Sequence, residues 1–373
     1  MRFWLGFSIA VLIVSIICCL PAESVTSRNV AAGGLATNAS LYGPTGLAVD
    51  ESHLYIVETN GKRVRRVDLK TGFITTIAGG GKQCLKEEDA QPNPGCLVYP
   101  QRVAVDSLGD VYVTDANIPG VIKVGTDAHS FSMLTSGNSA LSPDSPHPKT
   151  IELEWPAGIA IDPSGSLFFD DHTAHTVYRL ALHDGSLRVL AGTGREGFKG
   201  DGGPGTDAEF RFPEGLVRDK NGNIFIADYG NCRIQRIDSK SGIVTTLIGT
   251  EDGGTTCERL PDYGATKDQP TDVGVDQSGN IFFVQPWRER VRRLDAKTGI
   301  VTTVAGSGES GFSGDGRAAT SARFHVPEGV AVDKAGNLYI SDFKNNRVRR
   351  VDIKSGIIST VAGKGPASPD LIM

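Results

Sequence analysis

Short runs in which apolar and polar residues alternate recur along this 373-residue chain, and each run has the length of one β-strand. The segment from Pro327 to Gly363, PEGVAVDKAGNLYISDFKNNRVRRVDIKSGIISTVAG, contains four such runs, rich in Val, Ile and Tyr. Asp, Asn and Gly separate one run from the next, as they do in hairpin turns. The segment therefore predicts a four-stranded antiparallel meander, whose strands we label A to D in chain order.

The opening of this segment recurs along the whole chain. Its six copies are PTGLAVD, PQRVAVD, PAGIAID, PEGLVRD, PTDVGVD and PEGVAVD, which begin at Pro44, Pro100, Pro156, Pro213, Pro270 and Pro327. Successive prolines are 56, 56, 57, 57 and 57 positions apart, a spacing typical of repeat proteins. One small sheet cannot bury both faces, whereas six sheets in a ring cover one another. We therefore predict an all-β fold over residues 44–365, a six-bladed β-propeller of four-stranded antiparallel blades.

The two ends of the chain differ from the repeats. Residues 1–22 combine an early Arg2 with an apolar run and a small residue, Ala22, a pattern that predicts a secretory signal peptide. An uncleaved membrane anchor is the alternative, since the run of 18 apolar residues is just long enough to span a bilayer. We expect a secreted or periplasmic protein that meets a membrane only if this segment stays uncleaved. Residues 366–373 are predicted to be a C-terminal tail.

Residues 23–43 are predicted to be an N-terminal segment and a blade-to-blade connector. ATNASLYGP, which ends at Pro44, matches ATSARFHVP, which ends at Pro327, and VTSRNVAAGG before it resembles the end of an outer strand. This first strand could close the ring by pairing on the last blade. The run Ile357 to Val361 competes for the same outer position, so the pattern leaves open which terminal strand closes the ring.

Four cysteines lie outside the apolar leader: Cys84, Cys96, Cys232 and Cys257. An even number in an exported protein predicts two disulfide bonds. Because Cys84 and Cys96 share one loop, we expect them to pair, which leaves the other two for each other. The sequence by itself allows three connectivities.

Strand direction divides the loops of the propeller between two faces. The A–B and C–D turns are short and uniform, whereas the B–C turns and the D-to-A connectors vary and lie together on the other face, which we call the connector face. Variable loops on a regular scaffold are where ligands bind. Aromatic residues and one arginine are therefore candidate ligand-face residues: Trp155, Tyr229, Trp287, Phe343 and Arg102.

Two sets of acidic residues are candidates for chemistry. Glu214, Asp272 and Glu328 follow the prolines of neighbouring blades near the central channel, where they could hold Ca²⁺ or another divalent cation through oxygen ligands. Strand B also ends in a polar residue in every blade: Glu58, Asp115, Asp171, Asp228, Gln285 and Asp342. That second set is either a ring of charges facing a ligand or a set of caps for the B–C turns. In four blades a cap could also pair with the Arg five positions on: Arg63, Arg233, Arg290 and Arg347.

The segment GESGFSGDGRAATSARFHVP followed by PEGVAVDKAGNLYISDFKNNRVRRVD resembles the NHL-repeat family of propellers, and GREGFKGDGGPGTDAEFRFP with PEGLVRDKNGNIFIADYGNCRIQRID resembles it again. The resemblance covers the chain beyond the leader. It implies the propeller fold and allows several functions, because members bind proteins, bind RNA, sense ligands or act as lyases.

Net charge and motifs narrow these functions. A formal net charge of -5 argues against a nucleic-acid surface, which is usually basic. We detect no nucleophile elbow and no cofactor loop. We therefore expect a monomeric binding scaffold that holds a protein, peptide or glycan through its connector face and needs no cofactor. The alternative is a metal-dependent hydrolase or lyase with its site in the central channel.

Overall fold

The structure, a computed structural model, describes residues 34–80, 95–118, 120–126, 130–135, 139–140, 150–151, 153–249 and 268–365. It confirms the predicted fold, because six antiparallel sheets follow one another as blades; five have four strands, and the first has a short fifth strand on its outer edge. The A strands of successive blades contact one another, and that of blade 6 contacts that of blade 1, which closes the ring. Within the described ranges, no helix is long and apolar enough to cross a membrane. The predicted signal segment and tail lie outside these ranges.

Each blade contributes strands A to D in chain order. Blade 1 has Pro44–Val49, His53–Glu58, Arg63–Asp68 and Phe73–Gly79. Blade 2 has Pro100–Val105, Val111–Asp115, Gly120–Val124 and Phe131–Met133. Blade 3 has Pro156–Ile161, Ser166–Asp171, Thr176–Ala181 and Leu187–Ala191. Blade 4 has Pro213–Arg218, Ile224–Asp228, Arg233–Ile237 and Val244–Ile248. Blade 5 has Asp272–Val275, Ile281–Gln285, Arg290–Leu294 and Val301–Ala305. Blade 6 has Pro327–Val332, Leu338–Asp342, Arg347–Val351 and Ile358–Ala362.

The A–B turns form as the sequence predicts. In blade 4, Asp219 Oδ1 accepts the main-chain N–H of Asn221 at 2.9 Å and that of Asn223 at 2.8 Å. The side-chain amide of Asn223 donates to the second oxygen of Asp219 at 2.8 Å. Gly222 lies between them at a φ of +90°, a conformation that other residues rarely adopt. Asp276 and Asp333 hold the turns of blades 5 and 6 in the same way.

The hydrophobic core lies between blades, so each blade is stable only beside its neighbours. Phe324, from the connector that enters blade 6, is fully buried and packs with Phe282 of blade 5 and Ile340 of blade 6. Phe210 fills the equivalent place in front of blade 4 and packs against Ile226. Each buried Phe side chain contributes about 1.5–3 kcal/mol relative to an exposed one.

The first described strand is Gly34–Leu35, and the rest of the predicted N-terminal strand lies outside the described residues. It pairs with Phe73 and Ile74 on the outer edge of blade 1, and blade 6 keeps its own strand D. Isolated bridges join the other connectors to the strand D that follows them, Pro204 to Ile243 and Ala318 to Ile357. Residues 34–43 are therefore the connector from blade 6 to blade 1.

Hydrogen bonds at this junction repeat those at two others. Gly363 donates its main-chain N–H to the oxygen of Ala36 at 2.8 Å, as Gly306 does to Ala319 at 2.9 Å and Gly192 to Gly205 at 2.9 Å. Among the described residues, the junction between blades 6 and 1 is thus built like the junctions within the chain, and blade 6 has its own strand D.

Candidate ligand-binding site at the channel mouth

The carboxylates that end strand B belong to the scaffold. Glu58, Asp115, Asp171, Asp228 and Asp342 are all fully buried. Each accepts a main-chain N–H from the connector that enters its own blade, as Asp228 does from Arg211 at 2.7 Å and Asp342 from His325 at 2.8 Å. They therefore fix the connectors and do not face a ligand.

The predicted pairing with the Arg five positions on is confirmed in blade 1 and wrong in blade 6. Glu58 accepts two hydrogen bonds from Arg63, at 2.9 and 2.8 Å. In blade 6, Arg347 donates to the main-chain oxygens of Gly363 and Lys364 at 3.3 and 2.8 Å. A different arginine, the fully buried Arg349 of strand C, lies 3.5 Å from Asp342 and takes the predicted place.

Arg102 crosses the central channel. Its side chain leaves strand A of blade 2 and donates to the main-chain oxygen of Thr271 in blade 5 at 3.0 Å and to that of Glu328 in blade 6 at 3.4 Å. Arg102 is 4 % exposed. It therefore forms the floor of the channel mouth, by which we mean the end of the channel where the A strands begin on the connector face.

The three predicted carboxylates gather around this guanidinium. Arg102 Nε lies 3.7 Å from Asp272 Oδ2, and its Nη2 lies 3.9 Å from Glu214 Oε1. Asp272 accepts the main-chain N–H groups of Val273 at 2.9 Å and Val330 at 3.0 Å, so its carboxylate is directed towards blade 6. The described residues contain no group of three or more His, Cys, Asp or Glu side chains arranged to hold a metal ion. The metal site stays a prediction.

Burial changes the protonation of these groups. It raises the pKa of Glu214 to about 8, and the negative charge of Glu328 adds to the shift. Burial also raises the pKa of Glu328 to about 7, although the charge of Arg102 opposes the change. The pKa of Asp272 is raised by burial as well, against the same guanidinium. The channel mouth therefore carries carboxyl groups that titrate near neutral pH.

Aromatic side chains frame the channel mouth. Trp155 packs edge-to-face on Tyr99, with ring centroids 5.5 Å apart, and next to His172 at 6.2 Å. Tyr229 lies 6.3 Å from His172, and the Trp287 indole N–H is close enough to the Tyr229 hydroxyl to lower its pKa. Trp287 is 41 % exposed. The frame thus runs from blade 2 to blade 5 and keeps an open aromatic surface.

Two tyrosines of the frame lie close to the carboxylates. Burial raises the pKa of Tyr229 to about 12, and the negative charges of Glu214 and Glu328 contribute to the shift. Burial raises the pKa of Tyr99 too, again with contributions from both glutamates. Aromatic walls and acidic groups therefore belong to one site.

Of the predicted ligand-face residues, the structure brings Arg102, Trp155, Tyr229 and Trp287 to this site. Phe343 is half-buried in the B–C turn of blade 6, where the Lys344 ammonium lies 5.5 Å from its ring. Sequence reasoning missed Tyr99, although a signal was present: Tyr99 and Trp155 both directly precede the proline that opens a strand A.

Below Arg102 the channel changes character. A cavity of about 300 Å³ lies along the axis, and Arg102 and Asp272 lie at its upper end. The later residues of the A strands line it, among them Val105, Ile161 and Val332. The channel mouth thus lies above a lower section in which aliphatic side chains of the A strands are joined by Arg218.

The cysteine predictions fall partly outside the described residues. Cys96 and Cys232 are both buried, at 8 % exposure each. Cys84 and Cys257 lie outside the described ranges, so the two disulfide bonds stay predictions.

The ring of blades and its connectors define an NHL-type six-bladed β-propeller. A family model described as "NHL repeat" matches residues 210–237, and one described as "Teneurin NHL domain" matches residues 307–368. Two stretches of the chain thus match NHL-repeat models, as the sequence motifs indicate.

Comparisons with known proteins agree on the fold. NHL repeat-containing protein 2 of Gallus gallus is 25% identical over 299 residues, which cover 72% of this chain and 41% of that protein. Teneurin-3 of Danio rerio is 26% identical over 385 residues, covering 92% of this chain and 13% of that protein. A solved auxiliary nutrient binding protein from Bacteroides thetaiotaomicron superposes with a TM-score of 0.59 at 19% identity, covering 86% of this chain and 70% of that chain. This chain thus spans well under half of the curated relatives that it matches.

Proposed function

We propose that this protein is a binding module that holds a protein, peptide or glycan at the channel mouth on its connector face. The observation that carries the proposal is the aromatic frame, in which Trp287 stays 41 % exposed beside Tyr229 while the carboxylates of the scaffold are buried and hydrogen-bonded. Exposed aromatic side chains in a concave site contribute much of the binding energy in protein interfaces. A solved structure with a similar fold is described as an auxiliary nutrient binding protein, which supports a binding role for this fold.

Peptide and glycan arrays test this proposal. The purified protein is applied beside two variants, Trp287→Ala in the frame and Leu108→Ser on the opposite face, where Leu108 is 79 % exposed. We expect ligands that bind the wild type and Leu108→Ser alike and lose at least about tenfold in affinity with Trp287→Ala. The absence of any ligand, or ligands lost only with Leu108→Ser, would contradict the proposal.

A metal-dependent hydrolase or lyase is the second candidate, because Glu214 and Glu328 lie in one site with pKa values raised to about 8 and 7. Elemental analysis and thermal melting before and after chelation decide it. A stoichiometric divalent cation whose removal lowers the melting temperature supports this candidate. A metal-free protein with an unchanged melting temperature refutes it.

We also propose that the protein is exported, on the strength of the apolar leader and the four cysteines beyond it. N-terminal sequencing of the mature protein is expected to begin near Glu23. Intact mass before and after reduction is expected to rise by four hydrogen atoms, two for each disulfide bond. A retained leader and an unchanged mass would contradict export and the disulfide bonds respectively.

A further inference from the structure

The carboxylates of Glu214 and Glu328 differ from the other buried acids of the protein. The five acids that end strand B all accept main-chain hydrogen bonds, and Asp272 accepts two. The described part of the chain supplies no hydrogen bond to the carboxylate of Glu214 or to that of Glu328; the nearest cation of Glu214 is Arg102, at 3.9 Å. Only 20 % of the Glu214 side chain is exposed to solvent. Two largely buried carboxylates thus have free acceptor capacity.

The charge at the channel mouth is unbalanced. A single guanidinium, Arg102, lies near three carboxylates: it is farther than a hydrogen bond from Glu214 and Asp272, and its charge also acts on Glu328. Its Nε is buried without a hydrogen-bond partner, so the floor does not neutralise the acids by close pairing. Lys344, the other cation near Glu328, is exposed in the B–C turn of blade 6. Buried anions without counter-charges are costly, and a cation that enters the channel mouth relieves that cost.

The walls of the channel mouth suit an organic cation. The charges of both glutamates contribute to the raised pKa values of Tyr99 and Tyr229, so these tyrosines lie near them. Trp287 lies beside Tyr229 with its ring exposed to solvent. Aromatic faces attract ammonium and guanidinium groups by cation–π interaction, which adds to the attraction of the carboxylates. A hard metal ion gains nothing from such walls, since it binds through oxygen ligands.

We propose that Glu214 and Glu328 form a clamp for an ammonium or guanidinium group, which enters the channel mouth between the tyrosine and tryptophan walls and stops above Arg102. The group is either a Lys or Arg side chain of a bound peptide or protein, or a free organic amine. The clamp rests on the proposed binding function and names the chemistry of its ligand.

Titration calorimetry with n-butylguanidinium and n-butylammonium at pH 8.5, above the pKa values of both glutamates, tests the clamp. The uncharged control is n-butanol, which has the length of butylammonium. Variants Glu214→Gln and Glu328→Gln keep the shape of the side chain and remove its charge. Glu51→Gln is the matched control, because Glu51 is 73 % exposed on the opposite face, where it pairs with Lys334. We expect saturable binding of the two cations, no binding of butanol, and a loss of about tenfold to a hundredfold with each channel variant only.

A parallel titration distinguishes the source of the cation. A short peptide with one internal Lys is compared with the same peptide carrying norleucine. Tighter binding of the Lys peptide than of butylammonium identifies a side chain of a partner, whereas equal binding identifies a free amine.

Three results would overturn the clamp: no binding of either cation, binding that is unaffected by Glu214→Gln and Glu328→Gln, or saturation by Ca²⁺ in place of the organic cations. Array ligands that still depend on Trp287 would then show that the binding function stands without the clamp. If no cation binds in the calorimeter and no array ligand depends on Trp287, both the clamp and the binding function are refuted.

Discussion

Replacement of Asp170 by Asn is expected to stabilise the propeller at alkaline pH. Asp170 is fully buried at the end of strand B in blade 3; its Oδ1 accepts the main-chain N–H of Gly158 at 2.9 Å, and its Oδ2 has no hydrogen-bond partner. Hydroxyl groups fill this position in two other blades. Thr114 donates to the oxygen of Ala157 at 2.6 Å, and Ser341 donates to that of Thr45 at 2.7 Å.

The repeat places the main-chain oxygen of Glu214 where those two hydroxyls find their acceptors. A carboxylate cannot donate to it, whereas a protonated Asp170 can. Burial accordingly raises the pKa of Asp170 from 3.8 to about 7. An Asn at this position keeps the acceptor oxygen and supplies a permanent N–H donor.

The size of the effect follows from the pKa. A shift of about 3 units at about 1.4 kcal/mol per unit amounts to about 4 kcal/mol, and full burial leaves no solvent to screen it. Between pH 4 and 7 the unfolded chain loses the Asp170 proton while the folded chain keeps it. The free energy of unfolding therefore falls as pH rises through this window and levels off above pH 7. Asp170→Asn lacks this loss, so its advantage over the wild type grows from near zero at pH 4 to at most about 4 kcal/mol at pH 8.5.

Urea unfolding at pH 4, 6 and 8.5 measures this difference. The matched control is Asp171→Asn, because the adjacent Asp171 uses both oxygens to accept main-chain N–H groups of Glu154, Trp155 and Ala174. The control is expected to be less stable than the wild type, since an amide nitrogen cannot accept these bonds. If the difference in unfolding free energy between Asp170→Asn and the wild type does not grow with pH, Asp170 is not protonated in the folded protein and the reasoning is refuted.

Two further predictions concern the channel floor and the ring junction. Arg102→Met leaves three acids without their guanidinium, so we expect a loss of about 3–5 kcal/mol in urea unfolding at pH 8.5, against about 0.5 kcal/mol or less for the exposed Arg317→Met. Equal losses would contradict the role of Arg102. Gly363→Ala places a Cβ 2.2 Å from the oxygen of Asn346 at a φ of +88°, whereas Gly356→Ala, at +69°, meets nothing within 4 Å. Both variants incur the left-handed strain of about 1–2 kcal/mol, and Gly363→Ala is expected to lose about 1–3 kcal/mol more, which its thermal melting would show. Similar melting temperatures would refute the close approach.

The fold could be predicted from local sequence because the four strands of each blade follow one another directly in the chain. The prolines from Pro44 to Pro327 mark every strand A, and the Asp and Gly of turns such as Asp219 to Asn223 mark the hairpins. The connector at residues 34–43 was also readable, since its likeness to the one before Pro327 predicts its place. Its pairing with blade 1 was not, because two outer strands competed for one edge.

The site could be predicted only in part, because it joins residues far apart in the chain. Arg102 binds the oxygen of Thr271, 169 positions away, and no spacing within the repeat reveals a contact across the channel. The acids Glu214, Asp272 and Glu328 could be found from their positions after the prolines of strand A. Because Asp272 is one position later than the two glutamates and side chains alternate along a strand, the pattern did not show that all three share one site. Hydrogen bonds from the main-chain N–H groups of Val273 and Val330 turn its carboxylate towards blade 6.

The junction between blades 6 and 1 has a consequence for the motions of the ring. When a last blade borrows a strand from the other end of the chain, the ends cannot part without breaking a whole strand ladder. In the described residues, the main chain crosses the junction with bonds such as Gly363 to Ala36 and Lys364 to Ala39, and blades 6 and 1 can separate there while each keeps its strands A to D. We expect transient opening to begin there, with amide hydrogen exchange at Gly363 and Lys364 faster than at Gly192 and Thr193.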